Sequence, residues 1–221
     1  MFKLLKNKKI STKSGFTMAE LIMVMAIFSI LTAVTVWNYG KFNNNIIMTN
    51  MAYEIALSVR EAQVFSLGVR GSSTNFDTRY GVYFNSDPSA NPQNFVFFAD
   101  RNSNGTCEDG ANMCSIDECI SGSECEQLNS LTRGIEVSRV CVSDAGDIPM
   151  DFDTGDCSAD GDLINEAAVT FERPNPDAFV YDIDNNQTFR NIAVLIESGS
   201  GAKRAIYIRE NGQISVEFVI N

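Results

Sequence analysis

Between Phe16 and Tyr39 the chain carries a single charge, Glu20, inside an otherwise apolar run, and Gly15 stands immediately before that run. A carboxylate within an apolar helix is costly, so by default it marks a functional site. So near a helix start it also meets the positive end of the helix dipole. A second set of oxygens lies at alternate positions in Asp100-Arg101-Asn102-Ser103-Asn104-Gly105-Thr106-Cys107-Glu108-Asp109. Asp100, Asn102, Asn104, the Thr106 carbonyl and Glu108 reproduce the first half of an EF-hand loop, with Gly105 at the sharp turn. The twelfth position is Ala111 rather than a bidentate glutamate. Asp109, Glu108 or a carboxylate from the second acidic segment, 143–165, would have to substitute, and the expected ion is calcium at weak affinity. A solvated turn is the competing reading, because Asn, Ser and Gly favour turns without any metal. Asp151, Asp153, Asp156, Asp160 and Asp162 have no regular ligand order and read as a solvated loop.

Six cysteines, Cys107, Cys114, Cys119, Cys125, Cys141 and Cys157, complete the reactive inventory. They are separated by 6, 4, 5, 15 and 15 residues, and the chain has no histidine. Close C-x2-C pairs are missing, which argues against structural zinc. An even count in an oxidising compartment reads as disulfides. Cys141 and Cys157 are the expected pair, and the other four are expected to pair among themselves. Without histidine there is no Ser-His or Cys-His nucleophile, and no phosphate-binding glycine motif is present, so the expectation is a protein that is not an enzyme.

Charge narrows the partners. The chain carries −11, and Lys3, Lys6, Lys8, Lys9 and Lys13 supply +5 of its positive charge, so a chain cut after Gly15 stands at −16. Beyond those five, the lysines are Lys41 and Lys203. That balance argues against nucleic acid, which is bound by neutralising phosphates. The 24 residues from Phe16 to Tyr39 span about 36 Å as a helix, enough to cross a bilayer. Lysines before the helix set the leader in the cytoplasm and the rest outside.

The elements that must position these groups follow from periodicity. Met48, Met51, Ala52, Ile55, Val59, Ala62 and Ser66 recur at helical steps, with Asn50, Glu54, Ser58 and Glu61 facing away. Gly40 and Asn43 to Asn45 mark a soft point, and Gly68 and Gly71 end the helix. Eight strand-like runs follow: 79–85, 94–99, 134–142, 167–172, 178–183, 191–197, 203–209 and 213–219. Asn211-Gly212 signals a hairpin between the last two. Two irregular segments, 101–132 and 143–165, hold the cysteines apart from Cys141. The expected class is α+β: a long N-terminal helix, membrane-spanning in one half and amphipathic in the other, packed on an antiparallel sheet domain of about eight strands. The divisions are 1–15 as leader, 16–39 as spanning or filament-core helix, 40–71 as amphipathic half, and 72–221 as an extracytoplasmic β-rich domain with a cysteine-rich insertion at 101–132.

Basic leader, Gly15, Phe16-Thr17-Met18-Ala19-Glu20 and the apolar run together closely resemble the prepilin signal of type IV pilins and type II secretion pseudopilins. An ordinary secretory signal is cut beyond its apolar segment; here the cut would precede it. The resemblance implies cleavage between Gly15 and Phe16 by a prepilin peptidase, N-methylation of Phe16, and a filament-assembly role for Glu20, paired with the freed amine of a neighbouring subunit. It implies an inner-membrane assembly platform, other pilin or pseudopilin subunits and, before assembly, membrane lipid as partners. Ala52–Arg70, Phe97–Asp109 and Gly201–Gln213 more loosely resemble the helix, strand-and-loop and terminal hairpin of the H-family of minor pseudopilins and related minor pilins. The cysteine-rich insertion departs from that pattern. Three functions stand: a structural filament subunit, a cysteine-rich adhesive or substrate-recognising subunit at a filament tip, and a single-pass receptor that is never cut at Gly15.

Overall fold

A computed structural model of the chain describes residues 15–68, 78–109, 112–120, 122–144, 146–147 and 149–219, without the side chains of 38–42 and 112. The expectations for the leader before Gly15, for a stop at Gly71 and for Ala111 fall outside these residues. The chain divides into two compact units, Met1–Asn43 and Asn44–Asn221, so the boundary falls within the asparagine run.

Helix α1, Met18–Leu67, has 50 residues and contributes to both units. In the first unit, Met18–Trp37 has a mean hydropathy of 2.2 with none of it buried, and is long and apolar enough to cross a membrane. Its hydroxyls are satisfied within the helix: Ser29 donates to the Met25 carbonyl at 2.8 Å and Thr32 to that of Phe28 at 2.6 Å. Such back-bonding gives these hydroxyls a partner in an apolar setting.

The second unit is built on antiparallel sheets. In chain order the strands are β1 (Arg79–Asn85), β2 (Asn94–Asp100), β3 (Glu108–Asp109), β4 (Asn112–Met113), β5 (Cys125–Ser130), β6 (Ile135–Ser143), β7 (Met150–Asp151), β8 (Asp156–Cys157), β9 (Asp162–Ile164), β10 (Glu166–Phe171), β11 (Ala178–Asp182), β12 (Gln187–Phe189), β13 (Asn191–Ser198), β14 (Lys203–Ile208) and β15 (Ile214–Phe218). One sheet runs β12-β11-β10-β1-β2-β5, the other β15-β14-β13-β6-β9, with two-stranded ribbons β3-β4 and β7-β8. The α+β class stands, and each of the eight expected runs contains a strand. The strands are more numerous than expected and divided between two main sheets. The additional ones lie mostly in the two segments that read as irregular.

The main core joins α1 to both sheets. Met48, Ala52, Ile55, Val59 and Ala62 are fully buried there with Val82, Phe84, Phe95, Val140, Val169, Val194 and Ile206. Each sheet also buries its far side. Tyr83, Val96 and Phe98 pack with Cys107, Cys114 and Ile116 behind the first sheet, and Ala193, Leu195 and Tyr207 pack with Cys141, Met150 and Val219 behind the second. Hence β2 is buried at every position instead of alternating: the insertions are covers for the outer faces.

Two polar residues pin the helix. Gln63 Nε2 donates to the carbonyls of Pro176 and Gly212, both at 3.1 Å. Ser66 accepts from the Tyr80 amide at 2.7 Å and donates back to its carbonyl at 3.2 Å. Gly212 has φ of +74°, and a Cβ there would sit 2.1 Å from the Pro176 carbonyl oxygen, so the β14–β15 turn requires glycine. The helix ends at Leu67, with the Gly68 amide bonded to the Val64 carbonyl at 2.9 Å.

Candidate assembly site and the disulfide-closed loops

Thr17 precedes the first helical residue. Its amide and hydroxyl both donate to Glu20 Oε2, at 2.8 and 2.9 Å, and its hydroxyl accepts from the Glu20 amide at 3.2 Å. This is a capping box, which satisfies orphan donors at a helix start reciprocally. The signal, Thr-x-x-Glu, is visible in the sequence, yet reading Glu20 as a lone charge passed over Thr17. Among the described residues Glu20 Oε1 accepts no hydrogen bond, so one carboxylate oxygen stays open to an external cation. Phe16 is 86 % exposed and nothing lies within 4 Å of where a Gly15 side chain would begin. A cut between Gly15 and Phe16 would place a free amine four residues from Glu20.

Five of the six expected calcium ligands come together at the Asp100 loop, already bonded to one another. Asp100 is fully buried at the end of β2. Its Oδ1 accepts from the Asn104 amide at 3.1 Å and its Oδ2 from the Gly105 amide at 2.9 Å. Asn102 Oδ1 takes the Asn104 amide and Asn104 Oδ1 the Thr106 amide, both at 3.0 Å. The side-chain nitrogens of both asparagines donate to the two oxygens of Glu108. Asp109 continues into β3, opposite Asn112. Among the described residues no three His, Cys, Asp or Glu side chains gather closely enough to hold a metal.

Sequence reasoning missed two partners of this loop. Glu124, 7 % exposed, accepts from the amides of Arg101 at 2.8 Å and Glu108 at 3.0 Å, so it closes the loop from the far side of the insertion. No local pattern marks a glutamate sixteen residues on. Tyr181 on β11 is the other: a Cβ on Gly105, whose φ is +85°, would lie 2.0 Å from its ring. Desolvation pushes the carboxyls of Asp100 and Glu124 above the ordinary range, and Asp100 adds to the shift on Glu124.

The cysteines close both covers. Cys107 joins Cys114, Cys119 joins Cys125, and Cys141 joins Cys157 with Cα atoms 5.4 Å apart. Of the second acidic group, Asp156 pairs with Arg139. Asp151, Asp153 and Asp160 line an open depression of about 650 Å³ beside Met150 and Phe152.

Residues 10–36 match the family model described as the prokaryotic N-terminal methylation motif. That motif marks type IV pilin-like prepilins, and the matched residues include Gly15, Phe16, Thr17 and Glu20. The match is confined to the N-terminal segment. No curated protein and no solved structure matches the chain. The motif supports a pilin-type or pseudopilin-type prepilin, processed by a prepilin peptidase and assembled with other such subunits.

Proposed function

We propose that this chain is a minor pilin or pseudopilin, of the H-family type, built into a short filament of a type II secretion or type IV pilus system. The observation that carries the reading is the methylation motif at 10–36 followed by an apolar helix with none of Met18–Trp37 buried in its own chain. Prepilin peptidase cuts after Gly15 and Phe16 is methylated. The helix then holds the subunit in the cytoplasmic membrane, with the sheet domain outside, until the assembly platform incorporates it. Glu20 keeps Oε2 on Thr17 and offers Oε1 to the Phe16 amine of a neighbour. In the second unit Tyr53, Leu57 and Val64 are each more than half exposed on α1, as suits a helix that other subunits cover.

The test is the mature N-terminus together with two variants. Mass spectrometry should find a chain beginning at methylated Phe16, and Gly15→Leu should leave full-length precursor in the membrane. Glu20→Ala should be inserted and cut normally but enter filaments poorly. A wild-type chain that begins at Met1 would sink the reading in favour of a single-pass receptor, and normal incorporation of Glu20→Ala would remove the assembly role of that carboxylate.

A recognition role for the insertion is the second reading. Asp117, Glu118 and Ile120, the last 45 % exposed, project beside the Cys119–Cys125 bridge. It predicts assembled filaments without attachment when those residues change. Calcium at the Asp100 loop belongs to the same proposal, with Asp100, Asn102, Asn104, Thr106, Glu108 and Asp109 as the ligand set.

A further inference from the structure

Side chains alternate along a strand, so on β14 Arg204 shares a face with Ile206 and Ile208, which belong to the main core. Arg204 is only 7 % exposed and lies opposite Ile196 on β13 and Phe218 on β15. Its Nη1 donates to the Lys203 carbonyl at 2.6 Å, while its Nε is buried without an acceptor. The guanidinium carbon is 4.3 Å from the centre of the Phe218 ring. Among the described residues no carboxylate pairs with it; Glu197 pairs instead with Lys203, at 3.8 Å. A buried cation without a counter-charge is a costly arrangement, and burial lowers the proton affinity of this guanidinium.

Surface position gives that cost a use. Phe218, which covers the guanidinium, is itself 61 % exposed, and β15 is the outer strand of its sheet. Arginine and aromatic residues are the side chains most often found at the energetic centres of protein interfaces. We infer that Arg204 and Phe218 form a docking point for an aspartate or glutamate side chain of a neighbouring filament subunit. The carboxylate reaches Nε and Nη2 side-on when the Phe218 ring turns aside, in the paired geometry that makes arginine–carboxylate contacts specific, and the ring then packs on the partner. A carboxylate suits the charge balance: this chain has 28 acidic residues against 17 basic ones, so a second copy or a similarly acidic subunit presents the missing group. The inference rests on reading the chain as a filament subunit.

The test uses the full-length chain in its own membrane, with the photo-crosslinking residue p-benzoylphenylalanine in place of Phe218. Irradiation should yield adducts that map to an Asp- or Glu-containing peptide of a filament subunit. Arg204→Met should lower their yield about tenfold, on the order of what losing an interface anchor costs, and Arg204→Lys should keep part of it. The same Arg204→Met chain, purified in detergent, should melt no lower than wild type, since an unpaired buried charge is gone. Adducts to lipid alone, or a yield indifferent to Arg204→Met, would overturn the inference. So would a fall in melting temperature as large as that of Ile206→Ala, which would make Arg204 a structural residue. The N-terminal mass read on the same samples separates the two readings. A chain cut at Phe16 without adducts sinks the docking point alone, and an uncut chain sinks the filament reading as well.

Discussion

The segment 101–132 and the segment 143–165 cover opposite outer faces of the same sheet domain, both are acidic, and both are tied by disulfides, yet they are held in different ways. The first turns inward. Asp100 and Glu124 are buried and gather backbone amides, and Gly105 lies against the Tyr181 ring. The second turns outward: Asp153, Asp156 and Asp160 are exposed, and it is held by Met150, Phe152 and the Cys141–Cys157 bridge packed behind β13 and β14, by the pairing of β9 with β6 and by the Asp156–Arg139 ion pair. Acidic composition therefore does not say what a loop's carboxylates do. A buried carboxylate that collects amide donors is a structural anchor, whereas one in water is close to neutral for stability.

The largest effect expected from this contrast is at Gly105. Alanine there must adopt a left-handed conformation and displace the Tyr181 ring, so Gly105→Ala should destabilise by about 3 kcal/mol or more. Asp160→Ala, in the outward loop, should change stability by less than about 0.5 kcal/mol. Urea denaturation of the full-length chain in detergent compares them, and equal midpoints would erase the distinction between the two covers.

Disulfide removal sharpens the comparison from the other side. The Cys141–Cys157 bridge closes the longer loop, so Cys141→Ser with Cys157→Ser should cost about 3 kcal/mol. Cys107→Ser with Cys114→Ser should cost about 2.5 kcal/mol in the same chain-entropy picture. If the amide-collecting carboxylates hold the first cover independently, its double variant should lose even less. Non-reducing peptide mapping of the wild type should recover the three bridges with no free thiol. A link from Cys157 into the first segment would contradict the independence of the two covers.

What could be seen in the sequence divides along the same line. The eight strand-like runs carry β-branched and aromatic residues bounded by turn residues, and each run contains a strand. The buried helix stripe was legible at Met48, Ala52, Ile55, Val59 and Ala62 because period 3.6 is a local signal. Met51 is only partly buried, and Gln63 is buried despite its polarity, because carbonyls from Pro176 and Gly212 arrive from distant sequence. The short strands of the insertions were not legible. They pair over a few residues, and their position is set by cysteines and by carboxylates such as Glu124, whose partners are backbone amides with no sequence identity. At the N-terminus, Glu20 stood out as a lone charge in an apolar run and Gly15 and Phe16 through the resemblance to a prepilin signal, whereas Thr17, legible as the start of a Thr-x-x-Glu capping box, was passed over.

Acidity should separate the covers next. Asp100 and Glu124 hold their protons more tightly when folded, mainly through desolvation, and Glu166, desolvated and subject to the negative charge of Asp184, does the same at the start of β10. An acid whose folded value is raised adds stability that is complete below its unfolded value, near pH 4, and is lost as pH rises through the folded value. Melting temperature should therefore climb as pH falls through the raised folded values toward the unfolded value near pH 4. Asp100→Asn with Glu124→Gln should flatten the slope, leaving what Glu166 contributes. Substituting Asp153 and Asp160 should leave it unchanged. A slope that survives the first pair of substitutions would place the titrating groups elsewhere.

Calcium is the smallest expected effect and the one that asks most of the inward loop. Its ligand oxygens are engaged: Asn102 and Asn104 accept amides through Oδ1, and Glu108 takes both asparagine nitrogens. An ion entering there must replace the Asn–Glu108 bonds with coordination by Glu108, while the Asp100 carboxylate keeps the Gly105 turn. Because those bonds compete and no glutamate stands at the twelfth position, affinity should be weak, about 10⁻⁴ to 10⁻³ M. At 1 mM calcium such binding stabilises the folded state by about 0.4–1.4 kcal/mol, or roughly 1–5 °C in melting temperature for a domain of this size. The measurement is a melting curve of the full-length chain in detergent with 1 mM calcium and with chelator. Glu108→Gln should abolish the shift while keeping one of the two oxygens that accept the Asn102 and Asn104 nitrogens, and magnesium, which demands tighter octahedral geometry, should not replace calcium. If the wild type melts identically in calcium and chelator, or if Glu108→Gln keeps the full shift, the Asp100 loop is an anchor for its own amides and nothing more.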